Sequence, residues 1–483
     1  MVDVILAQFN NSYVKVVCEP SIGQELSEFF TFDVPDAKFS PAFRNRYWDG
    51  KIRLFSTKTQ QIYAGLVPHI VEFCKLHGYS YENKTNYFGP AHFSPDIFKD
   101  LELPVEPRDY QQLAVSYAAT RKRVVIISPT ASGKSLVAYM IARHMQEFKE
   151  HGLLVVPTVS LVEQMYKDFQ AYGWDVEKYC QKIYAGQDKV TNKFLTISTW
   201  QSLYDLPKKY FTTFDFIIGD EAHTFQAKSL TQIMTKLTNC DYRIGMTGTL
   251  NDAKVNKLVL EGLFGPVKKV ISTKELIDRG QLADFSIKAI VLQYPEEISK
   301  EMRNKSYQEE IDFLVANEAR NNFIKNLALN LKGNTLILFN YVEKHGKVLH
   351  AMIEEQAAEG RKVFFVHGDV DVTDRELVRA ITETEQDAII VASYGTFSTG
   401  INIRNLHNII FASPTKSKIR TLQSIGRGLR LGDNKEKAVL YDIADDMRYK
   451  DKVNYTLRHF EERVKFYSEE RFKFTTNTIR ISQ

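Results

Sequence analysis

The sequence predicts an α/β protein: two doubly wound parallel-sheet domains in tandem, a small α+β domain before them and an amphipathic helical tail after them. Three observations carry this. Short β-branched runs alternate with helical patterns over two successive stretches of chain. Residues 1 to about 100 do not share that rhythm. The C-terminal segment carries a single apolar stripe at helical spacing.

A chain of 483 residues exceeds the size at which one hydrophobic core stops growing, so several domains are expected. With 44% hydrophobic and 25% charged residues the balance is globular, which excludes long disorder. No apolar run approaches the ~20 residues that span a bilayer. Met1–Gln8 has no basic region leading into an apolar stretch, so neither a secretory signal nor a membrane partner is expected. Cys18, Cys74, Cys180 and Cys240 are far apart and form no CxxC pair, which points away from zinc and disulfides and toward a reducing cytoplasm. A net charge of +4 says nothing about nucleic acid, so that case must come from local patches.

The first domain, residues 1–103, holds a strand pattern at Val14–Glu19 and a helix pattern at Val67–Tyr79. The second, 104–281, carries apolar runs at Val124–Ile127, Leu153–Val156, Phe194–Ser198, Phe216–Gly219 and Tyr242–Met246. The third, 282–446, repeats them at Thr335–Phe339, Val363–Val366, Ala388–Ala392, Asn408–Ala412 and Ala438–Asp442. Such alternation marks βαβ units and sheets covered on both faces. In the tail, 447–483, Val453, Leu457, Phe460, Val464 and Tyr467 form one helical stripe that predicts docking on the preceding domain. No extended coiled-coil pattern appears, which favours a monomer.

After the run Val124–Ile127 comes SPTASGKS, Ser128–Ser135, in the strand–loop–helix setting of a phosphate loop. Pro129, Thr130, Ala131, Ser132 and Gly133 let backbone N–H groups curl around phosphate oxygens, and the following helix points its positive end at them. Lys134 is the candidate for the β/γ-phosphates and Ser135 for Mg²⁺. Ser128 stands where the pattern has its first glycine. The run Phe216–Gly219 then delivers DEAH, Asp220–His223. An apolar strand ending in two carboxylates sets them at the sheet edge where the phosphate loop also emerges. Asp220 is the second Mg²⁺ candidate, and Glu221 the residue that activates the attacking water. Together the two motifs predict ATP hydrolysis. Upstream, Arg108 and Gln111 of PRDYQ are candidates for the adenine side, since a glutamine amide can pair with adenine.

Hydrolysis also needs positive charge on the γ-phosphate, often from an arginine on another domain. QSIGRGLR supplies Gln423, Arg427 and Arg430, with the arginines three apart on one helix face.

The set RDYQ, TASGKS, VVPTVSLVEQ, ISTWQS, DEAH, MTGTL, LILFNYVEKHG, VASYGTFSTGINI and QSIGRGLR, in that order over Arg108–Asp446, resembles superfamily 2 helicases and translocases. The resemblance implies two RecA-like domains with ATP between them and nucleic acid across their top. It implies that His223, Thr247 and Thr249 couple hydrolysis to movement and that Gly400 and Asn402 contact the nucleotide's sugar side or the arginine fingers. Thr158, Thr199, His367 and Thr396 would then contact the phosphate backbone. The segment Lys38–Leu54, with GLVPHIVEFC at Gly65–Cys74, is similar to the UvsW-type recombination helicases of T-even phages. That implies action on branched or forked DNA, single-stranded DNA and RNA–DNA hybrids: fork regression, Holliday junction migration and origin hybrid unwinding. Phage recombination and single-strand-binding proteins would be partners, in the cytoplasm and nucleoid of an infected bacterium. An RNA helicase and a translocating subunit of a nuclease share the motor, and those alternatives stay open.

Lys38–Phe55 sets Lys38, Arg44, Arg46, Lys51 and Arg53 against Asp49, interleaved with Phe39, Phe43, Tyr47, Trp48 and Phe55. Cations neutralise phosphates and exposed rings stack on bases, so Arg44, Arg46, Trp48 and Lys51 are candidate nucleic-acid contacts. The rings could equally be a small core. Arg448–Gln483 holds nine Lys/Arg and five Asp/Glu, which suggests a second DNA contact.

Overall fold

The computed structural model describes residues 2–481 except 35–36, 90, 92, 185–188, 191, 251–253, 401–402, 416 and 430–436. At 254–255, 372, 398–400, 419 and 427 it describes the backbone alone. Met1–Ser128 with Gly133–Ile271 forms one compact unit, and Ser272–Gln483 with Pro129–Ser132 the other.

The first unit opens with a four-stranded mixed sheet in the order Gln61–Tyr63, Tyr13–Cys18, Val4–Gln8, Tyr81–Lys84. Alternation along Val4–Gln8 and Tyr13–Cys18 turns Val4, Leu6, Val14 and Val16 inward against the helices Pro20–Phe29 and Val67–His77. The second helix stops where Gly78 turns left-handed at φ +73°.

The same unit continues into an all-parallel seven-stranded sheet. Its order is Val267–Lys269, Arg123–Ile127, Tyr242–Thr247, Phe216–Gly219, Gly152–Val156, Leu195–Thr199, Cys180–Ile183. Its central strands Arg123–Ile127, Gly152–Val156 and Phe216–Gly219 are largely apolar because helices cover both faces. The five runs read from the sequence are five of these strands.

The mixed sheet is keyed to this domain. A Cβ on Gly65 would lie 2.0 Å from the Glu261 carbonyl oxygen and 2.6 Å from that of Gly262. Leu258, from the same helix Lys254–Leu263, sits in the core of the N-terminal domain. His69 Nε2 lies 2.9 Å from the Glu261 carboxylate. The fully buried Arg243 donates to Ser12 Oγ at 2.8 Å, and the equally buried Arg123 donates to the Asn11 carbonyl.

The second unit carries another seven-stranded parallel sheet, ordered Val363–Val366, Ile389–Ser393, Thr335–Phe339, Asn408–Phe411, Lys437–Asp446, Asp284–Gln293, Lys473–Arg480. The tail helix is Tyr455–Glu469, and Leu457 and Phe460 pack on Ala289, Val291 and Ala444 as the stripe predicts. Arg463 makes a buried two-pronged pair with Asp442, Nε–Oδ2 2.9 Å and Nη2–Oδ1 2.8 Å. The tail is more than a helix: Lys473–Arg480 is the edge strand, exposed along its whole length. Among the described residues no helix is long and apolar enough to cross a membrane.

Candidate active site and nucleic-acid interface

Three adjacent strands of the first parallel sheet deliver the site. Arg123–Ile127 leads into the phosphate loop, Tyr242–Thr247 lies beside it, and Phe216–Gly219 lies beside that and leads into Asp220. Ile127 pairs with Thr247 and Gly219 with Gly245, so the three ends reach the same C-terminal sheet edge, where α/β proteins bind ligands.

The loop closes on the helix Lys134–Met145, whose first residue is Lys134. Gly133 takes φ +81°, which favours glycine, and a Cβ there would fall 2.4 Å from Gln111 Nε2 and displace that amide. Ala131 is left-handed at φ +66°, a strained conformation for alanine. Within Pro129–Ser132, Ser132 N–H donates to the Pro129 carbonyl and Ser132 is buried, while Thr130 is partly exposed. Lys134 Nζ lies 3.4 Å from the Ser128 carbonyl, and Ser135 Oγ lies 3.0 Å from the Tyr172 hydroxyl. No motif marks Tyr172, and sequence reasoning missed it.

Gln111 is buried rather than an exposed helix start. Its Oε1 accepts from Arg108 N–H at 2.9 Å, and its Nε2 sits 3.5 Å from the Gly133 carbonyl. The amide therefore ties the PRDYQ segment to the phosphate loop. Arg108 reaches the Tyr110 hydroxyl at 2.9 Å.

Asp220 is 5% exposed, and its N–H donates to the Val155 carbonyl at 2.9 Å. Among the described residues its Oδ1 is buried with no hydrogen-bond partner. Burial, and then the neighbouring Glu221 carboxylate, push its carboxyl up to about 6, against the pull of Lys134. A buried carboxylate oxygen left open, with an ammonium nearby and Ser135 at the loop end, fits a hard divalent cation shared with phosphates. Glu221 is itself left-handed at φ +48°.

The His223 ring lies beside it and starts a hydrogen-bonded chain. His223 Nδ1 lies 3.3 Å from Glu221 Oε2 and 2.9 Å from Thr247 Oγ1. The Thr247 hydroxyl donates to the Thr249 carbonyl at 2.8 Å, so its one proton is committed and the His223 ring is the donor to it. The Thr247 carbonyl accepts from Ser128 N–H at 3.0 Å. The three residues expected to couple hydrolysis to movement are thus hydrogen-bonded to one another and to the start of the loop, with His223 beside Glu221.

In the second unit Gln423 and Arg427 lie on the helix Lys418–Gly428, and Gly400 ends the helix Tyr394–Gly400. The Arg427 side chain, Asn402 and Arg430 lie outside the described residues. His367 follows the strand Val363–Val366, its Nδ1 3.5 Å from the Asp369 carboxylate. Thr396 is buried and accepts from the Ser393 hydroxyl at 2.8 Å. Thr158 caps the helix Val159–Ala171 through Leu161 N–H, and buried Thr199 lies 3.1 Å from Ser202 Oγ. Each of these three threonines serves its local backbone or a neighbouring hydroxyl.

The basic segment near the N-terminus forms the loop and short helix around Pro41–Arg44 and the strand Lys51–Arg53. Arg44, Arg46 and Lys51 are exposed. Of the rings only Phe55 belongs to the core, while Phe39, Phe43 and Tyr47 stay exposed. Trp48 is half-buried and donates its indole N–H to the Lys51 carbonyl at 2.8 Å, so it braces the loop.

Residues 3–82 match the family described as DNA helicase UvsW, N-terminal; residues 104–252 match Type III restriction enzyme, res subunit; residues 318–432 match Helicase conserved C-terminal domain. The chain is 34% identical over 498 residues to the ATP-dependent DNA helicase uvsW of Enterobacteria phage T4, covering 97% of this chain and 98% of that one. The DNA 3'-5' translocase XPB2 of Sulfurisphaera tokodaii is 27% identical over 377 residues, 72% of this chain and 83% of that protein. The crystal structure of T4 UvsW superposes with a TM-score of 0.53 at 32% identity, over 99% of this chain and 100% of that one. A type ISP restriction-modification enzyme bound to DNA, LlaBIII, superposes with a TM-score of 0.58 at 16% identity, over 78% of this chain and 32% of that one, and shares the fold.

Proposed function

The chain belongs to the UvsW family of superfamily 2 helicases, two RecA-like domains behind an accessory domain, and is an ATP-dependent DNA helicase of phage recombination and repair; from that premise we propose that it remodels branched DNA. Its substrates on this reading are stalled forks and Holliday junctions, with RNA–DNA hybrids as a further class. Its setting is the cytoplasm and nucleoid of the infected host, beside phage recombination and single-strand-binding proteins.

The observation that carries the hydrolytic half is Asp220, a buried carboxylate whose Oδ1 has no hydrogen-bond partner among the described residues, within the field of Lys134. Lys134 binds the β/γ-phosphates, and the loop Pro129–Gly133 wraps them with backbone N–H groups. Arg108 and Gln111 hold the adenine side, and Gly400 and Asn402 the sugar side. Ser135 and Asp220 would hold Mg²⁺, which would neutralise phosphate charge. Glu221 orients the attacking water and takes its proton. Gln423, Arg427 and Arg430 meet charge that builds on the γ-phosphate. The His223–Thr247–Thr249 chain reports the state of Glu221 to the strand end beside the loop. Thr158, Thr199, His367 and Thr396 track the DNA backbone, and Arg44, Arg46 and Lys51 add contacts from the accessory domain, with Trp48 setting their loop. The basic tail adds another.

ATPase and unwinding assays on forked DNA, Holliday junctions, RNA–DNA hybrids and linear duplex test the reading. Forks and junctions should stimulate both activities most. Equal stimulation by linear duplex removes the branched-DNA assignment. Lys134→Ala and Glu221→Gln should each abolish turnover, with Glu221→Gln still binding ATP; wild-type turnover in either removes the assigned site.

A further inference from the structure

Tyr47 is 87% exposed, the most exposed large hydrophobic side chain among the described residues. An exposed ring on a mobile tip needs no explanation, but this one stands on a braced loop. The Ala42 carbonyl accepts from Tyr47 N–H at 2.9 Å and from Trp48 N–H at 3.2 Å, and the Phe43 carbonyl accepts from Arg46 N–H at 3.0 Å. Arg46 is held left-handed at φ +59°. Gly50, at φ +79°, lets the Phe43 ring approach; a Cβ there would lie 3.0 Å from it. Trp48 pins the Lys51 carbonyl, and Arg53 pairs with Asp49 at 2.5 Å. The turn therefore spends its hydrogen bonds on presenting one ring to solvent.

The surroundings identify what the ring meets. Arg44, Arg46 and Lys51 flank it in sequence, all exposed, and Arg44 and Arg46 enter no ion pair among the described residues. Phe39 and Phe43, in the same short segment, are 60% and 38% exposed. Cations around an exposed ring suit a polyanion that also carries flat apolar faces, which is single-stranded nucleic acid. A paired duplex offers the phosphates but hides the faces.

We propose that Tyr47 stacks on an unpaired base at the branch point, while Arg44 and Arg46 neutralise the flanking phosphates. This rests on the reading that branched DNA is the substrate, and it moves the stacking role from Trp48 to Tyr47. It makes Tyr47 a specificity residue: the ring distinguishes a fork with unpaired bases from a duplex, and the arginines do not.

The test uses the full-length protein and forks carrying 5-iododeoxyuridine at their first unpaired positions. Illumination should cross-link DNA to the peptide holding Tyr47, Tyr47→Ala should lose that product, and Tyr47→Phe should keep it. In binding assays Tyr47→Ala should weaken fork affinity about 5- to 100-fold with blunt duplex unchanged, and Tyr47→Phe should restore it. Circular dichroism melts confirm that each variant folds. Equal losses on fork and duplex, or no loss on either, overturn the stacking role. An Arg44/Arg46 double alanine variant separates the two readings. If it lowers the salt slope while Tyr47→Ala binds normally, stacking falls and the DNA contact stands. If neither variant alters fork binding, both fall.

Discussion

Replacing Asp220 with asparagine should stabilise the nucleotide-free protein while ending its activity. The ionised carboxylate is a cost to the fold, since it is 5% exposed, faces Glu221, and leaves Oδ1 unbonded among the described residues. Its carboxyl is pushed up to about 6, roughly two pH units above an ordinary aspartate, and at about 1.4 kcal/mol per unit the charge costs the fold on the order of 3 kcal/mol. The amide keeps the shape and removes the charge, though its own N–H groups need partners, so a net gain of about 1–3 kcal/mol is expected. The sign with pH follows from proton counts. Between about pH 4 and 6 the folded state holds a proton that the unfolded state has lost, so the wild type loses stability as pH rises through that window. The advantage of Asp220→Asn is therefore full above about pH 6 and fades below about pH 4. Urea denaturation in EDTA, followed by tryptophan fluorescence at pH 8 and near pH 4, measures it. Adding Mg²⁺ and ATP should stabilise the wild type and help the variant much less, because binding energy adds only to a state that binds. A variant less stable than wild type at pH 8, or an advantage unchanged by pH, would refute the account of Asp220 as a strained, cation-seeking carboxylate.

Thr247→Val removes the acceptor of His223 Nδ1, so ATP turnover should persist within about tenfold while base pairs unwound per ATP fall further, as paired ATPase and unwinding assays would show. Gly65→Ala drives a methyl into the Glu261 and Gly262 carbonyls and should destabilise the first unit by about 1–3 kcal/mol or more. Gly78→Ala, left-handed but in open space, isolates the backbone cost for comparison in the same melts. Arg463→Ala strands the Asp442 charge where Asp442 is fully buried, and should cost the second unit about 3–5 kcal/mol in denaturant titrations.

Strands were legible where both faces are covered. Such strands must be apolar end to end, and Phe216–Gly219 or Thr335–Phe339 announces itself by that alone. The edges were not legible. Lys473–Arg480 reads KFTTNTIR because water covers both its faces, so no pattern marks it as the strand that completes the second sheet. Val267–Lys269 is three residues long, and a run that short carries no period. The candidate ATP-site residues stood out because phosphate chemistry restricts which side chains can follow a strand. That His223 and Thr247 work together was implied only by the resemblance, since no local spacing relates positions 223 and 247. Trp48 and Tyr47 are adjacent aromatics in a basic segment, and nothing in the string says which one faces solvent. The indole N–H decided it, because it could reach the Lys51 carbonyl.

The keyed seam between the accessory domain and its motor domain changes how the accessory domain can be studied. Leu258 is a motor-domain residue buried in the other domain's core, and Arg243 sends one of its donors to Ser12. Cutting away the N-terminal residues would lay Leu258 open to water and leave a buried guanidinium short of an acceptor. A truncated enzyme that fails on forks would then report a damaged motor as readily as a lost recognition surface. Point changes in the Tyr47 loop, which lies off that seam, ask the recognition question without dismantling the machine that answers it.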